Sequence, residues 1–208
     1  MATSSKEEKS ESRVIARLLA SCGEKSGRDL FLVHRLDVGT SGVVLLARSA
    51  EAHRTLSAAF QNRRVQKTYR ALVWGHPRPA DGTLADPLGR DPSDGRKMKV
   101  RAEGKKAITR YRTLSRLPSV ADLVLFPETG RTHQIRVHLS ARGHPIVGDD
   151  LYGGATRWRG VRDPGRRRRL SAVRRPLLHA ERIEIPELAI DVRAPLPADY
   201  EEVLAALA

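Results

Sequence analysis

His34-Arg35-Leu36-Asp37-Val38-Gly39-Thr40-Ser41-Gly42-Val43-Val44-Leu45-Leu46-Ala47-Arg48 decides how the rest of the chain is read. It is a glycine-rich turn, carrying one carboxylate, that runs straight into an apolar strand. Gly39 and Gly42 supply backbone freedom and allow another chain to approach closely. A turn of this kind holds Asp37 at the end of a sheet, where binding clefts form. An aspartate before glycine and threonine also caps a turn by bonding its own backbone, so the segment needs the rest of the chain to decide its meaning.

Working outward, Leu30 to Val33 reads as the strand entering the turn and Val43 to Ala47 as the strand leaving it. Ser49 then caps a helix through Ala52, Leu56 and Phe60, with Glu51 favourably near its N-terminus. Ahead of the turn, Val14, Ile15, Leu18, Leu19 and Cys22 recur at helical spacing, with Gly23 as the stop. Lys67 to Trp74 reads as a strand ending at Gly75, and His76 to Lys106 as surface hairpins and loops. Thr109, Tyr111 and Thr113 alternate with arginines as in a half-exposed strand, followed by a strand over Asp122–Phe126. A helix is expected over Thr132–Arg142 with Ile135 and Leu139 inward, then strands over Leu177–Ile185 and Leu188–Arg193. Asp199–Leu207 closes the chain as a helix with Tyr200, Val203, Leu204 and Leu207 on one face. Strands and helices mix without strict alternation, which argues an α+β fold on an antiparallel or mixed sheet.

Length and charge narrow the function classes. The chain's 208 residues fit one domain, or one elongated domain of two packed halves. Lys and Arg number 38 against 24 Asp and Glu, a net charge of +14 that points to a polyanion such as nucleic acid. Solubility and anionic lipid are served by the same excess. Cys22 is the sole cysteine, which removes intrachain disulfides and thiolate zinc clusters and makes a cytoplasmic compartment the default. No stretch of about 18 apolar residues exists to span a membrane, and the polar start, residues 1–12, reads as a disordered tail. Asp37-Val38-Gly39-Thr40-Ser41 also matches half of an aspartic-protease site, but that chemistry needs two carboxylates sharing a proton and no second such turn occurs.

The second informative block runs Glu128-Thr129-Gly130-Arg131-Thr132-His133-Gln134-Ile135-Arg136-Val137-His138-Leu139-Ser140-Ala141-Arg142-Gly143-His144-Pro145-Ile146-Val147-Gly148-Asp149. Basic and imidazole groups gather near a helix start, which suits anion binding; an amphipathic helix with a solvated basic face accounts for the same residues. Taken with His34–Arg48 and with Lys67-Thr68-Tyr69-Arg70-Ala71-Leu72-Val73-Trp74-Gly75, the order of motifs resembles the RluA-type RNA pseudouridine synthases. Gly148-Asp149-Asp150-Leu151-Tyr152-Gly153 and Leu178-His179-Ala180 look like later landmarks of that family.

The resemblance implies a mixed, mainly antiparallel sheet flanked by helices with a cleft at its centre, over a catalytic domain of residues 13–208. It implies a nucleophile at Asp37, an active-site tyrosine at Tyr69 and an arginine pairing with the aspartate at Arg136. It also implies that Arg35 fills the space left by an extruded nucleotide and that Ile135 packs by the target uracil. Arg131, His133, Lys97 and Lys99 are expected to contact RNA, with Arg63, Arg64, Lys67, Arg96, Lys105 and Lys106 as further backbone contacts. The arginine-dense stretch at about 155–176 reads as a mobile loop that grips RNA by charge, or as a solvated insertion. The implied reaction is an isomerisation of uridine in ribosomal RNA, with transfer RNA second, by a monomer without cofactor or metal. Against the family pattern the chain is N-terminally short, lacking the early strand and Lys-Pro motif. An edge of the sheet is therefore expected to be missing, and the alternative function is that of a basic RNA-binding protein whose cleft no longer catalyses.

The chemistry suits these groups. A carboxylate is ionised at neutral pH and can leave again after attack, which divides one hard step into easier ones. Burial beside a base would raise its pKa, and a neighbouring guanidinium opposes that. Tyr69 suits packing against the base and proton movement at C5, and equally suits an ordinary half-buried strand position.

Overall fold

A computed structural model describes residues 30–208 and divides the chain into two compact units. The polar tail, the helix expected over Val14–Cys22 and Cys22 itself lie outside the described residues.

The smaller unit takes in residues up to Val38 and Val44–Val65. Its strands β1 (Phe31–Leu32) and β3 (Leu46–Ala47) pair antiparallel, Phe31 opposite Ala47. Helix α1 (Ala50–Gln61) begins as expected, with the Ser49 hydroxyl accepting the Ala52 N–H at 3.1 Å. His34 Nε2 accepts the Leu45 N–H at 3.0 Å while its ring stacks on Phe60 at 4.7 Å, so this imidazole holds the unit together.

The larger unit, Gly39–Val43 with Gln66–Ala208, carries a seven-stranded sheet among the described residues. Its strands are β2 (Ser41–Gly42), β4 (Gln66–Trp74), β5 (Asp81–Leu84), β8 (Thr109–Leu117), β9 (Val120–Pro127), β10 (Leu178–Ile185) and β11 (Ile190–Arg193). The order β11-β10-β4-β9-β8-β5 is antiparallel throughout, and β2 joins β10 in parallel. A separate hairpin, β6 (Leu88–Arg90) with β7 (Met98–Val100), rises from the loop-rich stretch. Helices α2 (Gln134–Ala141), α3 (Pro164–Ser171) and α4 (Ala198–Leu207) complete the α+β architecture.

Alternation along β4 separates two faces, as the two-residue strand period requires. Tyr69, Ala71 and Val73 face one cluster with Leu125, Ile135, Leu139 and Ile146. Leu72 and Trp74 face another with Leu170, Leu177, Tyr200, Val203 and Leu207. Helix α2 thus covers one side of the sheet, and α3 with α4 the other.

Three sequence expectations change. The strand expected over Val43–Ala47 is broken, because Ser41–Gly42 pairs with β10 whereas Leu46–Ala47 pairs with β1. Gly42, at φ +121°, lies so close to β10 that a Cβ would sit 2.1 Å from the Ala180 carbonyl. The strand expected from Leu188 begins at Ile190, because Pro186–Leu188 forms a 3-10 turn. The arginine-dense stretch is not a loop: Arg157–Gly160 is a 3-10 turn and Pro164–Ser171 is α3. Asp163 caps α3 by accepting the Arg166 N–H at 2.7 Å, Pro164 fits its first turn, and buried Leu170 anchors it.

Candidate active site

Helix α2 begins at Gln134, later than the expected Thr132, because His133 is left-handed at φ 55° and cannot continue a helix. The Gln134 amide is buried and ties four groups together. It accepts from Thr129 Oγ1 at 2.7 Å and from the Arg131 N–H at 3.0 Å, and donates to the Ile108 carbonyl and Thr109 Oγ1, both at 2.9 Å. That latch shapes the turn over Thr129–Arg131 and fixes the angle at which α2 crosses the sheet.

The helix has no solvated basic face. Every residue from Gln134 to Leu139 is buried, including Arg136 at 6% exposure and His138 at 0%. His138 takes a hydrogen bond from Thr109 Oγ1 at 3.1 Å and donates Nε2–H to the Asp86 carbonyl at 3.0 Å; burial pushes its pKa below the usual imidazole value. The expected anion-binding cluster therefore contracts, since two of its members are used inside the protein.

Arg136 is held by Asp149. Its Nε donates to Asp149 Oδ2 at 2.7 Å and its Nη2 to Oδ1 at 2.9 Å, a bidentate pair whose carboxylate is wholly shielded from solvent. The Tyr152 N–H donates to the same carboxylate at 3.1 Å, and the guanidinium lies over the Tyr152 ring, 5.0 Å from its centroid. The Tyr152 hydroxyl accepts the Met98 N–H at 2.9 Å and lies 2.7 Å from His133 Nδ1. One tyrosine thus ties the β6–β7 hairpin, the start of α2 and the buried arginine together.

Sequence reasoning paired Arg136 with Asp37 and gave Asp149 and Tyr152 no role. Their signal was the run Gly148-Asp149-Asp150-Leu151-Tyr152-Gly153 with its neighbour Gly154. A Cβ on Gly148 would lie 2.1 Å from the Arg175 carbonyl, so only glycine permits the turn that turns Asp149 inward. A guanidinium has five donors, so Asp149 does not exhaust Arg136.

Tyr69 stands on β4 opposite Leu125 on β9 and Ala180 on β10, half-buried against the cluster that contains Ile135. The structure thus brings Tyr69, Ile135 and the helix bearing Arg136 to one face of the sheet. Arg131 is half-buried, with Nε donating to the Lys106 carbonyl at 3.1 Å. Lys97 and Lys99 pair within their hairpin, with Asp94 at 3.7 Å and Asp91 at 3.6 Å; such exposed pairs are weak and exchange readily for other anions. Lys67 points under the turn before α2, its Nζ donating to the Thr129 carbonyl at 3.4 Å, and burial lowers its pKa to about 8. Asp37 and Arg35 belong to the smaller unit, Asp37 half-buried and Arg35 exposed, with Val38 and Gly39 forming the turn that follows. Among the described residues no group of acidic, histidine or cysteine side chains could hold a metal ion, and no helix is long and apolar enough to cross a membrane.

A mainly antiparallel sheet thus carries a half-buried strand tyrosine and an arginine-bearing helix on one face. A family model described as RNA pseudouridylate synthase matches residues 2–141, and the chain belongs to that family. It is similar to an uncharacterized RNA pseudouridine synthase of Mycobacterium bovis, 41% identical over 177 residues that cover 83% of this chain and 54% of the relative. Ribosomal large subunit pseudouridine synthase D of Haemophilus ducreyi is 40% identical over 181 residues, 85% of this chain and 55% of the relative. The chain spans about half the length of these curated relatives. Among solved structures it is similar to human RNA pseudouridylate synthase domain containing 4, with a TM-score of 0.76 at 28% identity over 93% of this chain and 83% of that one. The expected fold class and family therefore hold.

Proposed function

We propose that this chain converts uridine to pseudouridine in structured RNA, with Asp37 as nucleophile, Tyr69 beside the target base and Arg136 as the guanidinium that keeps Asp37 ionised. The carrying observation is that Tyr69 of β4 and Ile135 of α2, drawn from separate motifs, share one cluster on one face of the sheet in the larger unit, and that Arg136 follows Ile135 on the same helix. Ribosomal RNA is the first substrate class, in keeping with the name of the Haemophilus ducreyi relative, and transfer RNA the second. The working form is a cytoplasmic monomer that needs no cofactor.

In this reaction the C1′–N1 bond breaks, the uracil turns over and C5 bonds to C1′. The proton on C5 is lost and N1 gains one, so atoms and oxidation state balance without a co-reactant. Extruding the nucleotide costs a few kcal/mol, and contacts from Arg131, His133, Lys97 and Lys99 to flanking backbone offset it. Arg35 occupies the space that the nucleotide vacates, and Ile135 gives the base an apolar surface. The Asp149 pair fixes the plane of the Arg136 guanidinium, so its remaining donors keep a set orientation.

The test is Asp37→Asn. It is expected to lower pseudouridine formation by about 10⁴-fold or more, with RNA affinity nearly unchanged. Mapping pseudouridines in cellular RNA with and without the gene identifies the substrate. A wild-type chain that binds RNA yet leaves every uridine unchanged would favour the RNA-binding role instead.

A further inference from the structure

Residues 157–175 hold nine arginines and one aspartate, so this stretch carries +8 of the chain's +14. The fold does not disperse that charge. Arg167, Arg168 and Arg169 are exposed on α3 and Arg166 is half-buried, while Leu170 alone anchors the helix inward. Few carboxylates answer them. Asp163 is used on the helix cap, Arg169 reaches Glu202 at 3.3 Å and Arg175 forks onto Asp199. Among the described residues no carboxylate lies within ion-pair distance of Arg162, Arg166, Arg167 or Arg168.

Holding like charges side by side on one ordered helix is unfavourable unless an anion is to meet them. Arg166, Arg168 and Arg169 line an open groove of about 730 Å³ that Ala206 of α4 closes on the other side. A groove of this size lined by several forked donors fits a run of phosphates better than a single small anion. Its position adds a second fact. Helix α3 packs on the Leu72 and Trp74 face of the sheet, opposite the face that carries Tyr69 and Ile135. Two helix layers across one sheet stand about 20 Å apart, given layer spacings of about 10 Å.

We infer that α3 is a second docking surface for the RNA backbone, separate from the candidate active site and reached only by an RNA large enough to extend around the sheet. The inference rests on the proposed function and deepens it: a bulky, folded RNA engages both faces, whereas a short stem-loop engages the active-site face alone.

Equilibrium binding of the full chain tests this without any turnover, so an inactive wild type would sink the proposed function and leave this measurement standing. The triple exchange Arg166→Gln, Arg167→Gln and Arg168→Gln preserves helix propensity. The probes are a short uridine-bearing RNA hairpin, the large ribosomal subunit RNA and phosphatidylserine vesicles. Hairpin affinity is expected to stay level. Affinity for the ribosomal RNA falls, and the slope of log affinity against log salt becomes shallower by about 1 per arginine removed. Exchanging the same three residues for lysine, which retains the charge, restores the slope. Equal slopes for wild type and glutamine variant would overturn the inference, as would equal losses on both RNAs. Vesicle binding that tracks the arginines while the RNA slope stays fixed would assign the surface to membrane lipid instead.

Discussion

Helices α2 and α3 are each eight residues long and each carries arginine, yet they treat its charge in opposite ways. Arg136 of α2 is buried with a bidentate carboxylate and an aromatic ring against it. Three of the four arginines of α3 are exposed and Arg166 is half-buried, and Arg166, Arg167 and Arg168 have no carboxylate in ion-pair reach among the described residues. A buried, paired guanidinium acts through geometry, because its donors have one direction. An exposed, unpaired cluster acts through a field that extends about 8–10 Å at physiological salt and recognises charge rather than shape. Total charge therefore describes neither helix well, and the location of the carboxylates distinguishes them.

The sharpest way to break the contrast is Arg136→Ala. It leaves Asp149 charged and sealed from solvent, and a loss of about 3–5 kcal/mol in unfolding free energy is expected from chemical denaturation. A loss below 1 kcal/mol would mean that water reaches Asp149 and that the pair is not the rigid device described.

Lys67 offers an intermediate case, a half-buried cation without a carboxylate opposite its ammonium in the contacts described. Its pKa is lowered from 10.5 to about 8 by burial, so between those values the unfolded chain binds more protons than the folded one. Stability contributed by this group therefore rises as pH climbs from about 8 to about 10.5, and the cost of burying the charged form is fully present below pH 8. Lys67→Met is expected to stabilise the protein at pH 7 by about 1–3 kcal/mol and to flatten that alkaline rise. Thermal midpoints measured from pH 7 to pH 10 check both; a midpoint that climbs equally in the two proteins would assign the rise to another group.

At the small end lies α3 itself. The glutamine triple exchange is expected to change unfolding free energy by no more than about 0.5 kcal/mol, with its sign turning toward stabilisation at low salt, where self-repulsion in the wild type is strongest. Denaturation at two ionic strengths measures it. A large loss would make those arginines structural and erase the distinction from Arg136.

Much of the site was legible in the motifs. The Lys67–Gly75 strand, the Ser49 cap and the closing helix with Tyr200, Val203 and Leu207 inward were read directly, because period and capping are local properties. Tyr69 and Ile135 were named from the family resemblance, and the structure places both in one apolar cluster. Besides two strand boundaries, the readings that failed concern the basic segments. The basic block at α2 looked like a solvated or anion-binding face and is buried, and the arginine-dense stretch looked like a loop and is a helix. Pattern alone places a run of Arg and His outside, since a buried cation is affordable only with a partner that sequence spacing does not reveal.

The chain by itself determined the family, most of the long strands and helices of the larger unit, and which side chains are chemically equipped for the proposed reaction. Those follow from short-range physics: dihedral preference, capping and the alternation of apolar residues. Tertiary structure alone decided that Asp149, thirteen residues beyond Arg136, turns inward to fork onto it, and that the arginines of α3 stand on the far side of the sheet. Whether a charge is sealed against a carboxylate or left in water depends on what distant segments bring beside it, and no local rule encodes that.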